Sequence, residues 1–198
     1  AITAAKVNVR LAHLESGLRS FDRTMPEEIN RIIADRLSDL HFVTEQSGVD
    51  NLLREGMPKE GIHFVGNTMI DTLVAHRPRA AAMNMPARMG VTPGGYGLLT
   101  LHRPSNVDDR AAFDRLLAGI GAVAEDVPIL FPIHPRTRPR LLDSPRAGAL
   151  EQAGRLCLLE PLGYLEFLSL MENSRVVLTD SGGIQEETPI LGVPCLTL

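Results

Sequence analysis

Arg175-Val176-Val177-Leu178-Thr179-Asp180-Ser181-Gly182-Gly183-Ile184-Gln185-Glu186-Glu187 is the stretch that decides the fold. Its apolar run has no polar interruption, which suits a strand buried on both faces of a parallel sheet. The glycine pair ends the strand and opens a helix. Without side chains the backbone there can approach a ligand closely, and the first helical N–H groups point outward, unpaired, at the positive end of the dipole. Ser181 adds a hydroxyl donor. The reading is a diphosphate cradle made by Ser181, Gly182 and Gly183. Glu187, one turn further on, is expected to reach ribose hydroxyls, as acidic residues do in dinucleotide folds. An ordinary tight strand–helix connection is the alternative. The stretch is neither a Walker loop nor a G-x-S-x-G elbow, which disfavours a P-loop ATPase and a serine hydrolase.

The same grammar extends in both directions. Apolar runs occur at Val7 to Leu14, Leu40 to Val43, Ile62 to Val65, Tyr96 to Leu101, Val127 to Ile133, Leu156 to Leu159 and Val193 to Leu198. Between them lie helical segments: Pro26 to Leu40, opened by Pro and two Glu, then Asp108 to Glu125 and Gly163 to Asn173. Strand–helix alternation predicts an α/β fold of parallel sheets covered by helices. Arg77 to Gly97, rich in Pro, Gly and Met, lacks periodicity. The expected organisation is therefore residues 1–77 as the C-terminal part of a first Rossmann-like domain, 78–97 as a linker, and 98–198 as a nucleotide-binding Rossmann-like domain. Two such domains are expected to face a cleft, with ligands at the carboxyl ends of the strands. Both ends read as cut, and both domains as incomplete.

Composition narrows the function classes. The 198 residues carry a net charge of −4, with 44% hydrophobic and 22% charged residues, which excludes disordered and collagen-like chains. No apolar run approaches the roughly 18 residues of a membrane-spanning helix. The acidic balance gives no long-range attraction for nucleic acid or anionic lipid. Pro135 to Arg146 holds four arginines and three prolines and reads as a solvated, proline-kinked helix rather than a nucleic-acid arm. Cys157 and Cys195 are too few for a disulfide framework or a zinc quartet; two buried free thiols in a reducing cytoplasm is the expectation. The histidines show no metal-ligand spacing, so no metal is expected.

Polar groups also cluster after other strands, where desolvation makes them costly without a partner or a task. His13-Leu14-Glu15-Ser16-Gly17-Leu18-Arg19 follows the first run, with Glu27, Glu28 and Arg31 at the start of the next helix. His102-Arg103-Pro104-Ser105-Asn106 follows the fourth run, and His134-Pro135 the fifth. Singly, each has a structural explanation: a capped turn, a helix dipole, a hydrogen-bonded core histidine.

Together with Met25-Pro26-Glu27-Glu28-Ile29-Asn30-Arg31, Gly66-Asn67-Thr68 and Leu178 through Leu191, these segments resemble the non-hydrolysing UDP-N-acetylglucosamine 2-epimerases, in family order and across nearly the whole chain. The resemblance implies a two-domain, glycosyltransferase-B-like fold and a homodimer. It implies no cofactor, and inversion at C2 of UDP-GlcNAc to UDP-ManNAc through elimination of UDP to a glycal and re-addition. It places Glu15, Glu27 and His102 at catalytic positions. Ser181, Gly182, Gly183 and Glu187 fall on the UDP moiety, Phe167 beside uracil, and Arg31 among the substrate-binding residues. Arg103 and His134, with His102 and Glu27, match positions near a second, activating UDP-GlcNAc in bacterial members. The family's N-terminal portion, with a catalytic Asp, and its segment after the last strand have no counterpart here. Ser105 stands where many members carry Glu. A nucleotide-sugar-dependent glycosyltransferase and a non-catalytic UDP-sugar-binding protein are the alternatives.

Overall fold

A computed structural model describes residues 1–198. The chain forms two compact units, Ala1–Asp71 and Thr72–Leu198. The first contains α1 (Ile2–Lys6), β1 (Ala12–Leu14), α2 (Pro26–Leu37), β2 (Leu40–Val43), α3 (Gln46–Arg54) and β3 (Ile62–Phe64). Its strands are parallel in the order β1-β2-β3. α2 begins as its composition predicts, with Pro26 in the first turn beside Glu27 and Glu28, and Arg36 in the last turn. The loop after β1 packs so closely on α3 that a Cβ on Gly17 would sit 2.3 Å from the Gly48 carbonyl oxygen; Gly17 also has φ +82°. Only glycine meets both demands. The apolar core of this unit is small: Val43, Leu52 and Met57.

α4 (Thr68–Met83) spans the boundary between the units, and α5 (Met85–Arg88) follows. The second unit continues through β4 (Gly97–Thr100), α6 (Pro104–Val107), α7 (Arg110–Val123), β5 (Ile129–Pro132), α8 (Arg138–Leu142) and α9 (Pro145–Gln152). It ends with β6 (Leu156–Leu159), α10 (Tyr164–Glu172), β7 (Val176–Thr179), α11 (Gly182–Leu191) and β8 (Cys195–Thr197). All five strands are parallel, in the order β6-β5-β4-β7-β8. Alternate strand residues serve opposite faces. Leu99, Ile129, Phe131 and Leu178 join one core with the α7 residues Phe113, Leu117 and Ile120. Leu98, Leu130 and Val177 join a second with Leu168, Leu170 and Met171 of α10. At about 1.5–3 kcal/mol for each fully buried large apolar side chain, these two layers dominate the stability of the unit.

Two expectations are corrected. Residues 78–97 do not form an irregular linker. α4 continues through Pro78, α5 carries Pro86 in its first turn, and Met85 and Tyr96 are buried. The segment is stitched onto α10 and the residues just after it. Arg77 Nε donates to Glu172 at 2.6 Å, Met85 N–H to Ser169 Oγ at 3.2 Å, Tyr96 O–H to the Leu170 carbonyl at 2.7 Å, and Gly94 N–H to the Asn173 carbonyl at 2.8 Å. The cysteines are free, but Cys157 is exposed and Cys195 only partly covered. The reason is strand order: β6 and β8 are the two edges of the sheet. No helix is long and apolar enough to cross a membrane. Pro135 to Arg146 contains the short helix α8 and the first two residues of α9, which Ser144 caps through Ala147 N–H.

Candidate active site

In the second unit the chain runs outward from β4 through β5 to β6, then returns to place β7 on the other side of β4. Between β4 and β7 the winding reverses, and the crevice beyond the carboxyl ends of strands at such a point is where open α/β sheets bind ligands. His102 follows β4 and Ser181 follows β7. Thr100 and Thr179 are in register across this junction, their hydroxyls 2.6 Å apart, and Ser181 N–H donates to Thr179 Oγ1 at 3.0 Å.

A pocket of about 190 Å³ opens at the carboxyl ends of β4, β5 and β6. Thr100, His102, His134, Pro161, Leu162 and Phe167 are among its walls. Three residues singled out in the sequence, His102, His134 and Phe167, therefore meet in one concavity. The His102 and His134 ring centres are 5.8 Å apart. Thr137 holds the His134 loop in place by donating its buried hydroxyl to the Leu101 carbonyl at 2.5 Å. Arg136 N–H donates to His134 Nδ1 at 3.2 Å, which leaves His134 Nε2 as the protonated nitrogen of a neutral ring.

Asp180, quoted in the motif but not singled out, is the hub here. Its side chain is fully buried. Oδ2 accepts the N–H of His102 at 2.9 Å and of Arg103 at 2.7 Å. Oδ1 lies 2.8 Å from His102 Nδ1, out of line for a straight hydrogen bond and otherwise without one. The Arg103 Nε donates to the Asp180 carbonyl at 2.6 Å, so this exposed arginine is tethered at its base.

Ser181 is the N-cap of α11 in extended conformation, and its side chain makes no bond to the helix. The first backbone bond of the helix is Gln185 N–H to the Ser181 carbonyl at 3.3 Å, so the N–H groups of the Gly182–Gly183 turn precede the ladder and are open to an anion. A Cβ on Gly182 would meet nothing within 4 Å, which is the clearance a ligand requires. Glu187 is buried in the second turn of α11, and Tyr164 O–H donates to it at 3.3 Å. Burial pushes the Glu187 carboxyl above its ordinary range, with Glu186 adding to the effect and the Tyr164 bond opposing it.

The first unit holds the remaining candidates. Glu15, exposed, sits in the turn after β1 with φ +62°, in the left-handed region that side chains other than Asn and Asp seldom adopt. Glu27 is exposed and Arg31 half-buried on α2, whereas Glu28 is buried and accepts from Ser20 N–H, Ser20 Oγ and Phe21 N–H. Of the acidic pair, Glu28 organises the preceding loop and Glu27 remains presented. A buried network in this unit was not legible in the sequence. Asp35, on α2, accepts from His13 Nδ1 and Ser16 Oγ, each at 2.5 Å, from Gly17 N–H at 3.1 Å and from Arg19 Nη1 at 2.7 Å. Ser16 gives its one proton to Asp35, so His41 Nδ1–H must be the donor across the 2.9 Å contact to Ser16 Oγ. Burial alone would raise the Asp35 carboxyl; the bonds from His13, Ser16 and Arg19 outweigh it and hold it at about 2. Burial pushes the His41 imidazole below its ordinary range. Spacing offered one hint: His13, Ser16 and Arg19 recur every third residue from β1 into the loop after it. No group of three His, Cys, Asp or Glu is placed to hold a metal ion.

The parallel sheet winds in both directions from the β4–β7 junction, with the Ser181–Gly183 turn and His102 beside that junction and His134 after β5; this is the architecture of the nucleotide-binding class of α/β folds. The UDP-N-acetylglucosamine 2-epimerase family model matches residues 1–198. The curated UDP-N-acetylglucosamine 2-epimerase of Methanocaldococcus jannaschii is 44% identical over 204 residues, covering the whole chain and 56% of that relative. The structure of the Methanocaldococcus jannaschii enzyme in complex with UDP-GlcNAc and UDP superposes with a TM-score of 0.86 at 44% identity, over all of this chain and 55% of the other. The UDP-2,3-diacetamido-2,3-dideoxy-D-glucuronate 2-epimerase of Pseudomonas aeruginosa is 37% identical, covering the whole chain and 54% of that relative. The chain belongs to the UDP-N-acetylglucosamine 2-epimerase family, and it spans about half the length of the curated relatives it matches.

Proposed function

We propose that the protein inverts C2 of UDP-N-acetylglucosamine to give UDP-N-acetylmannosamine. The observation that carries this reading is the meeting of His102, His134 and Phe167 in one pocket at the carboxyl end of a doubly wound sheet, in a chain that matches the family along its whole length. A base takes the C2 proton, the C1–O bond to UDP breaks, and a glycal forms; protonation of C2 from the other face and return of UDP complete the inversion. Inversion needs proton access to both faces, for which Glu15 and Glu27 are the carboxylates. Positioned proton transfer supplies roughly 10²- to 10⁴-fold, about 3–5 kcal/mol. Stabilisation of the departing diphosphate must supply much of the rest. The open amides of the Ser181–Gly183 turn and the imidazole of His102 serve that purpose, with Glu187 on the ribose, Phe167 beside uracil and Arg31 on the substrate. Arg103 and His134 are assigned to a second, activating UDP-GlcNAc. A homodimer, a cytoplasmic location consistent with two free thiols, and a product used in cell-envelope polysaccharide belong to the same proposal.

The test is turnover of the natural protein in D2O. Deuterium at C2 of the product is the expected result; epimerised product without label would refute elimination–addition. A second reading is favoured by the Pseudomonas aeruginosa relative, whose name specifies a diacetamido uronate sugar nucleotide: the same chemistry on a more oxidised UDP-sugar. Competition between the two sugar nucleotides in the exchange assay separates them.

A further inference from the structure

We propose that Asp180 is the positioning residue of His102: it holds the proton of Nδ1 and so commits Nε2, the other ring nitrogen, to the pocket chemistry. The inference rests on the functional reading above and deepens it.

The geometry carries it. The Asp180 side chain is fully buried while that of His102 is 43% exposed, so one end of the imidazole is fixed in protein and the other is available to a ligand. Asp180 is itself immobilised, because Oδ2 accepts the backbone N–H groups of both His102 and Arg103. Those two bonds also fix the peptide that carries the imidazole. The second oxygen, Oδ1, is buried without an aligned hydrogen bond and lies 2.8 Å from Nδ1. Two lone pairs cannot face each other at that distance in a buried setting, so Nδ1 must bear hydrogen. A small turn of the ring, such as a bound ligand would induce, lines up the bond; catalytic hydrogen bonds are often poorly aligned before the ligand arrives. With Nδ1 protonated, the proton that His102 gives or takes is the one on Nε2. A structural role alone would need only the Oδ2 bonds. The unsatisfied Oδ1 is what a purely structural aspartate leaves unexplained.

Asp180→Asn is a fine probe. The asparagine carbonyl oxygen can keep both backbone N–H bonds, while its NH2 now faces Nδ1 and demands a lone pair there. The tautomer should invert, with little disturbance of the loop. The experiment uses the natural protein with 15N-labelled histidine, the His102 signals being identified by their loss in His102→Asn. At pH 9 the wild-type His102 is expected as the Nδ1–H form and Asp180→Asn as the Nε2–H form. In the C2 exchange assay Asp180→Asn should lower kcat at least tenfold with KM within threefold, and should cause no further loss when added to His102→Asn. An Nε2–H wild-type ring overturns the proposal even if the variant does not fold, and so do two losses that multiply in the double variant. If the wild type shows no C2 exchange, the epimerase reading fails, while the tautomer measurement still decides the pairing.

Discussion

Asp35 in the first unit and Asp180 in the second are both buried aspartates beside a histidine, His13 within β1 and His102 just after β4, and they are completed differently. Asp35 has four donors on its two oxygens, one of them the guanidinium of Arg19, whose side chain is 1% exposed. A carboxylate has about four acceptor sites, so nothing is left for a ligand. Asp180 uses one oxygen for the backbone and leaves the other against a half-open imidazole. A saturated carboxylate next to a small apolar core, Val43, Leu52 and Met57, is a fastening. An unsaturated one beneath a pocket, in a unit already secured by two apolar layers, is free to take part in chemistry.

The contrast can be broken most directly at its stable end. Asp35→Ala strips the shared acceptor from His13, Ser16, Gly17 and Arg19 at once, although Arg19 keeps its two bonds to Glu55. At about 1–3 kcal/mol for each buried group left unpaired, urea denaturation should show a loss of about 3 kcal/mol or more, and a loss under about 1 kcal/mol would erase the distinction. An exposed carboxylate should behave oppositely. Glu27→Gln is expected to lower C2 exchange by about 10²- to 10⁴-fold while the urea midpoint hardly moves. Gly17→Ala, by contrast, should destabilise by about 2 kcal/mol through its positive φ, and more if the Gly48 carbonyl cannot shift.

pH sharpens the comparison. The folded-state pKa of Asp35 is depressed to about 2, so its contribution is complete above the unfolded-state value and is lost as pH falls from about 5 toward 2. Asp35→Asn should flatten the acid limb of stability over that window, as read by the urea midpoint against pH. The smallest effect is expected at Tyr164→Phe, which removes one 3.3 Å bond to Glu187. Stability should change by about 1 kcal/mol or less, and calorimetry should show UDP affinity weakened less than tenfold.

Much of this architecture is legible in the sequence. The runs Leu40–Val43, Leu156–Leu159 and Val176–Thr179 are strands to the residue, because short, mostly apolar stretches between helix signals admit little else in a parallel sheet. Val7 to Leu14 yielded only Ala12–Leu14 as strand, since α1 extends to Lys6 and Asn8 turns the chain in the left-handed region. Pro78 and Pro86 make residues 78–97 look irregular, yet the bonds of Met85 to Ser169 and of Tyr96 to Leu170, 84 and 74 residues away in sequence, hold that segment in the fold. Such partners leave no local trace. Asp35 and Asp180 escaped notice for the same reason: their roles are defined by His13, Arg19 and His102, brought close only by the winding of the chain.

The edge cysteines have a practical consequence. Cys157 pairs in register with Leu130, Leu130 with Leu98, Leu98 with Val177, and Val177 with Cys195. The two thiols thus terminate a single rung across the five strands, and at 4.7–4.9 Å per strand their α-carbons are about 19 Å apart. Spin labels on the native thiols would form a molecular ruler spanning the sheet beneath the pocket, needing no engineered attachment points, and would report any opening between β4 and β7 as a lengthening of that span.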